Sequence, residues 1–177
     1  MRRREFIDDA VERWSRLKPN RDLSSLAVVQ RLIWAGRIAE EQLEKAAAAS
    51  GTRRRGDYEV LALLRRSEPE LQRPADLASQ LLTSPSGLTS KLDRLEQSGL
   101  VERVDDEVDR RSVLIRLTDR GRTLVDSAFD VTLDLYDTFL TGLRPEDREE
   151  LDRLLSFVVE RLELLATTRR PWKAPSG

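Results

Sequence analysis

The chain has 177 residues, of which 36% are charged and 39% hydrophobic, and its formal net charge is −1. It contains no histidine and no cysteine, which excludes disulfides, thiolate zinc sites and the Ser-His and Cys-His pairs of nucleophilic catalysis. We therefore expect neither an enzyme nor a cofactor, and we expect DNA binding only if the basic residues are grouped on one surface.

We expect no signal peptide at the start of the chain. The basic start, Met1 to Arg4, is followed by charged residues rather than by the apolar run of a signal peptide. No segment is long and apolar enough to span a membrane. We expect a cytoplasmic protein of one domain with helical extensions and no membrane partner.

The N-terminal third is predicted to be helical. Apolar residues recur at helical spacing from about Arg4 to Leu17 and from about Leu23 to Ala49, and Gly51 suits the C-terminal cap of the second helix. A basic connector, Thr52 to Gly56, precedes a third helix from about Asp57 to Arg66.

Two short helices follow in tight succession. Pro74 suits the first residue of one helix, and Ser84 with Pro85 suits the N-cap and first residue of the next, which ends at Ser98 before Gly99. Such a pair can place its second helix in the major groove of DNA.

A polar β-ribbon and two long helices complete the prediction. Leu100 to Val104 and Val113 to Leu117 are β-prone runs joined by a polar loop. Helices are predicted from about Asp119 to Leu140, with Thr118 as cap, and from Pro145 to about Thr167. The last helix has a leucine stripe too long for a small domain to cover, which predicts a homodimer with interlocking chain ends.

The predicted fold class is mainly α, a winged helix-turn-helix domain with long N- and C-terminal helices that form a dimerisation domain. Residues 1–56 supply an added helix and a dimerisation helix. Residues 57–118 form the DNA-binding domain, and residues 119–168 form the C-terminal dimerisation helices. Residues 169–177 are predicted to be a disordered tail.

The second helix of the pair has the pattern of a recognition helix. On a helical wheel its leucines share one side, a polar and cationic stripe lies beside them, and Asp93 and Glu96 lie roughly opposite that stripe. Ser90 and Lys91 can donate to base edges, and Arg94 can hold a phosphate or a base. An ordinary solvated helix face is the alternative. The predicted DNA-binding residues on this helix and its cap are Ser84, Ser86, Gly87, Thr89, Ser90, Lys91 and Arg94.

The loop of the ribbon carries Asp109, Arg110 and Arg111. We predict that Arg111 enters the minor groove or contacts the backbone, oriented by Asp109, and that Arg110 belongs to the same surface. A solvated hairpin loop is the alternative. The nearby acids, residues 105–107, would repel phosphate unless they point away or pair with arginines. They favour a second reading, a protein-interaction module on the same fold without DNA binding.

Three segments together resemble the signature of MarR-type transcriptional regulators: Leu92 to Glu96, Gly99 to Arg103 and Asp109 to Gly121. The resemblance covers about residues 23–165. It implies a homodimeric winged-helix protein, usually a repressor, that releases a pseudo-palindromic DNA site when a small ligand binds. Ser90 stands where many members carry arginine, so the base preference does not carry over.

The added first helix resembles that of the urate-responsive subgroup of this family. In that subgroup a tryptophan, an acid and two arginines form the ligand site, and the matching positions here are Trp14, Glu59, Lys91 and Arg103. Glu replaces the usual Asp, and Lys replaces one usual Arg. The resemblance implies a flat anionic effector, either purine-like, phenolic or a carboxylate. A core role for Trp14, anchoring the added helix, is compatible with this.

Overall fold

A computed structural model of the protein describes residues 3–106 and 113–167. The chain divides into two compact units, Met1–Leu135 and Tyr136–Gly177. No helix within the described ranges has the length and apolar character needed to cross a membrane. The elements in chain order are α1 (Arg3–Leu17), α2 (Ser24–Ala49), α3 (Arg55–Arg66), β1 (Leu71–Gln72), α4 (Pro74–Gln80), α5 (Pro85–Gln97), β2 (Val101–Asp105), β3 (Val113–Leu117), α6 (Asp119–Phe139) and α7 (Pro145–Thr167).

The junction between α2 and α3 agrees with the prediction at Gly51 and differs from it at the start of α3. Gly51 has φ +88°, which lets the chain leave α2 where the sequence predicts a cap. Helix α3 begins at Arg55 rather than at Asp57. The earlier start is stabilised from outside the helix, because the Arg55 amide donates to a Glu44 carboxylate oxygen at 3.0 Å. The connector is therefore shorter than the sequence indicates.

The core of the first unit is built from α3, α4, α5, β2, β3 and α6. The wheel prediction for α5 is confirmed, since Leu88, Leu92 and Leu95 are all buried. Burial of each such side chain stabilises the fold by about 1.5–3 kcal/mol, so α5 is held rigidly by one face while the opposite faces remain at the surface. The largest fully buried side chains are Leu61, Leu64, Leu77, Leu88, Ile115, Leu117, Val60 and Val125.

The predicted ribbon is present, and a third strand joins it. Strands β2 and β3 pair antiparallel, with Val101 opposite Leu117 and Asp105 opposite Val113. Strand β1 pairs with the other edge of β3 and gives the order β1-β3-β2. The sequence does not predict β1, because two residues show no alternation and the strand exists only through its partner.

The predicted start of α5 is confirmed in detail. Pro85 is the first helical residue, and the Ser84 hydroxyl accepts the Gly87 amide at 3.1 Å. The end is also as predicted, because Gly99 has φ +67° just past the helix. The start of α6 agrees as well, since the Thr118 hydroxyl accepts the Gly121 amide at 3.0 Å.

The turn between α4 and α5 contains a strained leucine. Leu82 has φ +47°, and its side chain is 95% exposed. The Thr83 amide donates to the Ala78 carbonyl at 3.1 Å, and the Leu82 amide donates to the Ser79 carbonyl at 3.3 Å. These bonds place Leu82 at the left-handed position after a helix, which favours glycine. The exposed side chain therefore makes no core contact that would offset the backbone strain.

Replacing Leu82 with glycine is expected to stabilise the protein by about 0.5–1 kcal/mol, because glycine adopts positive φ without a clash involving Cβ. Urea denaturation monitored by circular dichroism measures the change. Leu82→Ala is the matched control, since it removes the exposed side chain but keeps Cβ, and its stability should equal that of the wild type. An equal gain in both variants would show that the exposed leucine, not the backbone, is the cause.

Candidate nucleic-acid interface

The first two turns of α5 present an exposed polar surface. Ser86, Thr89 and Ser90 are all exposed. The Thr89 hydroxyl donates to the Pro85 carbonyl at 2.9 Å, and the Ser90 hydroxyl donates to the Ser86 carbonyl at 3.1 Å. These bonds fix the hydroxyl oxygens on the helix surface and leave them able to accept hydrogen bonds from a ligand.

Gly87 lies in the middle of this surface and has little room for a side chain. A Cβ at this position would lie 3.0 Å from the Ser84 hydroxyl oxygen and 3.1 Å from the Thr83 hydroxyl oxygen. The glycine keeps the cap of α5 intact and leaves the helix start without a protruding side chain. Its role in allowing close approach to DNA stays a prediction.

Lys91 extends from α5 towards the start of α3. A Cβ built on Gly56 would lie 2.9 Å from Lys91 Cε and 3.1 Å from Lys91 Nζ. The ammonium group therefore occupies the space that the glycine leaves open. Glu59 lies one helical turn beyond Gly56, so the structure places Lys91 and Glu59 on neighbouring parts of the same α3–α5 contact.

Arg94 has a partner inside the protein. Its guanidinium donates to both carboxylate oxygens of Asp57, at 2.7 and 3.4 Å, and thereby joins α5 to α3. The Asp57 side chain is 6% exposed and that of Arg94 is 38% exposed. The hydrogen bond that Arg94 donates to Asp57 is the main cause that raises the pKa of Arg94 above its ordinary value. The structure thus gives Arg94 a bracing contact in place of the free guanidinium assumed for phosphate binding.

Strands β2 and β3 and the loop between them form the wing, and two of the three acidic residues at its base, Asp105 and Asp106, lie within the described residues. Asp106 is buried and accepts from Arg73 at 2.8 Å, so its charge is paired, as the sequence required. Asp105 is exposed at the end of β2. Across the ribbon Arg116 donates to Glu102 at 2.7 Å. The other predicted wing residues, Glu107, Asp109, Arg110 and Arg111, lie outside the described residues.

Of the four predicted effector residues, Lys91 and Glu59 share the α3–α5 contact, whereas Trp14 and Arg103 have other surroundings. Trp14 is half-exposed on α1. Glu59 pairs with Arg55 at 3.0 Å. Arg103 pairs with Asp93 at 2.6 Å and with Glu96.

The hydrogen bond that Arg103 donates to Asp93 is the first cause that raises the pKa of Arg103. Because Asp93 and Glu96 lie roughly opposite Lys91 at about 100° per residue, Arg103 contacts the side of α5 opposite Lys91.

Sequence reasoning misses three residues of this region, namely Asp57, Gly56 and Arg73. The sequence analysis names Asp57 only as the first residue of the third helix, although it is buried and accepts hydrogen bonds from Arg94 of α5. It and Arg94 are 37 residues apart, so no local spacing connects them. One signal was available in the sequence. Asp57 is an acidic residue at a position that helical periodicity assigns to the core.

The MarR family model matches residues 55–113 of the chain. The chain is similar to the HTH-type transcriptional regulator PecS of Dickeya dadantii (strain 3937), with 31% identity over 157 residues that cover 88% of this chain and 94% of that protein. The structure resembles AbsC, a MarR family transcriptional regulator from Streptomyces coelicolor, with a TM-score of 0.70 and 31% identity over 81% of this chain and 96% of AbsC.

A further similar structure contains DNA. Sco3205, a MarR family transcriptional regulator from Streptomyces coelicolor solved in complex with DNA, has a TM-score of 0.70 and 25% identity over 80% of this chain and 91% of Sco3205. The fold, the exposed face of α5 and these similarities define a winged helix-turn-helix transcriptional regulator that binds DNA and is not an enzyme. The chain belongs to the MarR family.

Proposed function

We propose that the protein is a homodimeric repressor that binds a pseudo-palindromic operator and is released from it by a small anionic aromatic ligand. The observation that carries this proposal is the polar surface at the start of α5, exposed on a helix whose opposite face is buried in the core. A helix with exposed hydroxyls, and with Lys91 beside them at the α3–α5 contact, suits the major groove.

The exposed apolar surface of the long helices supports the dimer. Helix α7 has 23 residues and none of them is buried. A chain with this much apolar surface is expected to cover it with a second copy. Residues 1–56 and 119–168 would form the dimerisation region, and residues 57–118 the DNA-binding domain. Exposed apolar residues on α2, α6 and α7 include Val29, Ile33, Phe129, Tyr136, Phe139, Leu151, Leu155, Leu162 and Leu165.

Within the interface we assign base contacts to Ser90 and Lys91. We assign to Gly87 the role of allowing α5 to approach the DNA closely. Ser84, Ser86 and Thr89 border the same surface. The wing would add Arg111, oriented by Asp109 and accompanied by Arg110, in the minor groove or on the backbone. We assign Arg94 to holding α5 on α3, because its guanidinium is engaged by Asp57.

Fluorescence anisotropy with labelled duplex from the gene's own upstream region tests the proposal. We expect tighter binding than to random duplex, and an affinity that falls linearly with the logarithm of salt concentration. Sedimentation of the protein alone should give twice the chain mass of 20.3 kDa. A monomer, or equal affinity for both duplexes across the salt series, would refute the proposed dimeric repressor.

Replacing Arg111 with alanine is expected to weaken operator binding by about 1–3 kcal/mol, because a groove or phosphate contact to a guanidinium is lost. The same anisotropy titration measures it. Arg66→Ala is the matched control, since Arg66 is an exposed arginine at the end of α3. Equal affinity of the wild type and Arg111→Ala would remove the wing arginine from the interface.

For the effector we propose Trp14, Glu59, Lys91 and Arg103, with a purine-like, phenolic or carboxylate ligand. The position of Lys91 on α5 supports a link to DNA release, because a ligand that draws its ammonium group acts on the recognition helix directly. Such coupling requires the ligand to prefer the state that does not bind DNA. Thermal-shift screening of the three ligand classes, followed by DNA titration with each hit, tests this. A hit that leaves DNA affinity unchanged would contradict the coupling.

A further inference from the structure

A large cavity lies in the first unit where the α2–α3 connector, the end of α5 and the start of α6 meet. Its volume is about 1020 Å³, and its lining includes Arg53, Arg54, Arg94 and Arg120, with Asp57 as the only acidic residue among the lining residues. The formal charge of the lining is therefore +3, four arginines against one aspartate, in a chain whose net charge is −1. The positive charge is therefore concentrated at this cavity and is not a property of the whole chain.

Within residues 3–106 and 113–167, three of these arginines pair with no acidic side chain. Among the residues that the structure describes, Arg94 pairs with Asp57, whereas no acidic side chain pairs with Arg53, Arg54 or Arg120. Arg53 also has φ +64°, a conformation that is strained for a residue with a side chain. Such strain is concentrated at ligand-binding sites. Together these features describe a cationic surface that suits an anionic ligand.

The site adjoins the surface proposed to contact DNA but shares no residue with it. Its α5 residues, Arg94, Leu95 and Gln97, lie in the C-terminal part of the helix, whereas the polar surface runs from Ser86 to Lys91. At 1.5 Å per residue, Lys91 and Arg94 are roughly 4.5 Å apart along the axis. None of the four residues assigned to the aromatic effector lines this cavity.

We propose that this cavity, the arginine cavity, binds a small polyanion of the polyphosphate class. Guanidinium groups present planar pairs of donors that match phosphate oxygens. The volume is at the upper end of the range for small-molecule sites, so a ligand with several anionic groups fits better than a single phosphate. Leu95, Leu100 and Leu124 add an apolar wall, which is suited to a nucleoside attached to the phosphates.

Isothermal titration calorimetry of the full-length protein with tripolyphosphate tests the proposal, at constant ionic strength and with a chelator present. We expect saturable binding of one ligand per chain. The Arg54→Gln/Arg120→Gln variant should bind at least about tenfold more weakly, because two charge-assisted contacts are lost. Both arginines are exposed, so the variant should fold, and a thermal unfolding curve checks this. Arg66→Gln, which changes an exposed arginine outside the cavity, should bind like the wild type.

Three results would overturn the proposal. One is no saturable heat with the wild type. Another is equal weakening by Arg66→Gln, which would mean general attraction to charge. The third is equal tripolyphosphate affinity of the wild type and the Arg54→Gln/Arg120→Gln variant, which would remove these arginines from the site. A parallel titration with a nucleoside triphosphate distinguishes a nucleotide ligand from an inorganic polyphosphate. If the nucleoside triphosphate binds more tightly than tripolyphosphate, the ligand is a nucleotide. The calorimetry uses no DNA, so its result is independent of the proposed repressor function.

Discussion

A Gly121→Ala variant is expected to lose about 3 kcal/mol or more of unfolding free energy, at or above the upper end of the range for overpacked sites. A Cβ at Gly121 would lie 2.0 Å from the Leu100 carbonyl oxygen and 3.3 Å from Leu117 Cδ2. The closest atom belongs to the backbone, so no side-chain rotation relieves the clash. Urea denaturation followed by circular dichroism measures the loss.

The Leu100 backbone is fixed on both sides, which is why the clash has no easy relaxation. Its carbonyl accepts the Thr118 amide at 3.1 Å, and its amide donates to the Leu95 carbonyl at 2.9 Å. Moving the carbonyl away from a new methyl group would strain the connection between the end of α5 and the start of α6. The recognition helix is thereby linked to α6 through one residue.

Gly36→Ala is the matched control for this prediction. A Cβ at Gly36 would meet no atom within 4 Å, and alanine is a better helix former than glycine by about 0.5–1 kcal/mol. This variant should be as stable as the wild type or slightly more stable. If Gly121→Ala were equally stable, the close approach of α6 to the start of β2 would not exist in solution.

The helix ends are predictable from sequence because their signals are local. Pro74, Pro85 and Pro145 each begin a helix as predicted, since the proline ring fixes φ and the first turn needs no N–H partner. Strand β1 and the early start of α3 depend on β3 and on Glu44. Contacts between distant segments determine them, so local patterns give no indication of either.

The candidate site likewise has one feature that the sequence predicts and one that it does not. The exposed face of α5 follows from a period of 3.6 residues, because the three leucines that must be buried define the opposite side. The partner of Arg94 does not follow, because a helical wheel shows which way a side chain points but not what it meets. Charge grouping alone therefore assigns this arginine to DNA, and only the position of α3 beneath α5 reveals its contact with Asp57.

Replacing Arg94 with alanine is expected to cost about 3 kcal/mol of unfolding free energy. The Asp57 carboxylate, which is 6% exposed, would be left buried without its partner, and such losses are about 3–5 kcal/mol for fully buried pairs. The lower end applies because the Arg94 side chain is 38% exposed. Asp57→Ala/Arg94→Ala should lose less than the sum of the two single variants, with a coupling of about 1–3 kcal/mol by urea denaturation.

DNA binding by the Arg94→Ala variant distinguishes two roles for Arg94, holding α5 against α3 and contacting a DNA phosphate. If Arg94 only holds α5 against α3, the slope of log affinity against log salt concentration is unchanged, because no phosphate contact is lost. A direct phosphate contact would lower the magnitude of that slope by about 0.9 for each arginine. Bracing predicts the unchanged slope together with the strong coupling to Asp57. A reduced slope with additive stability effects would return Arg94 to the DNA interface and show that its contact with Asp57 contributes nothing to the fold.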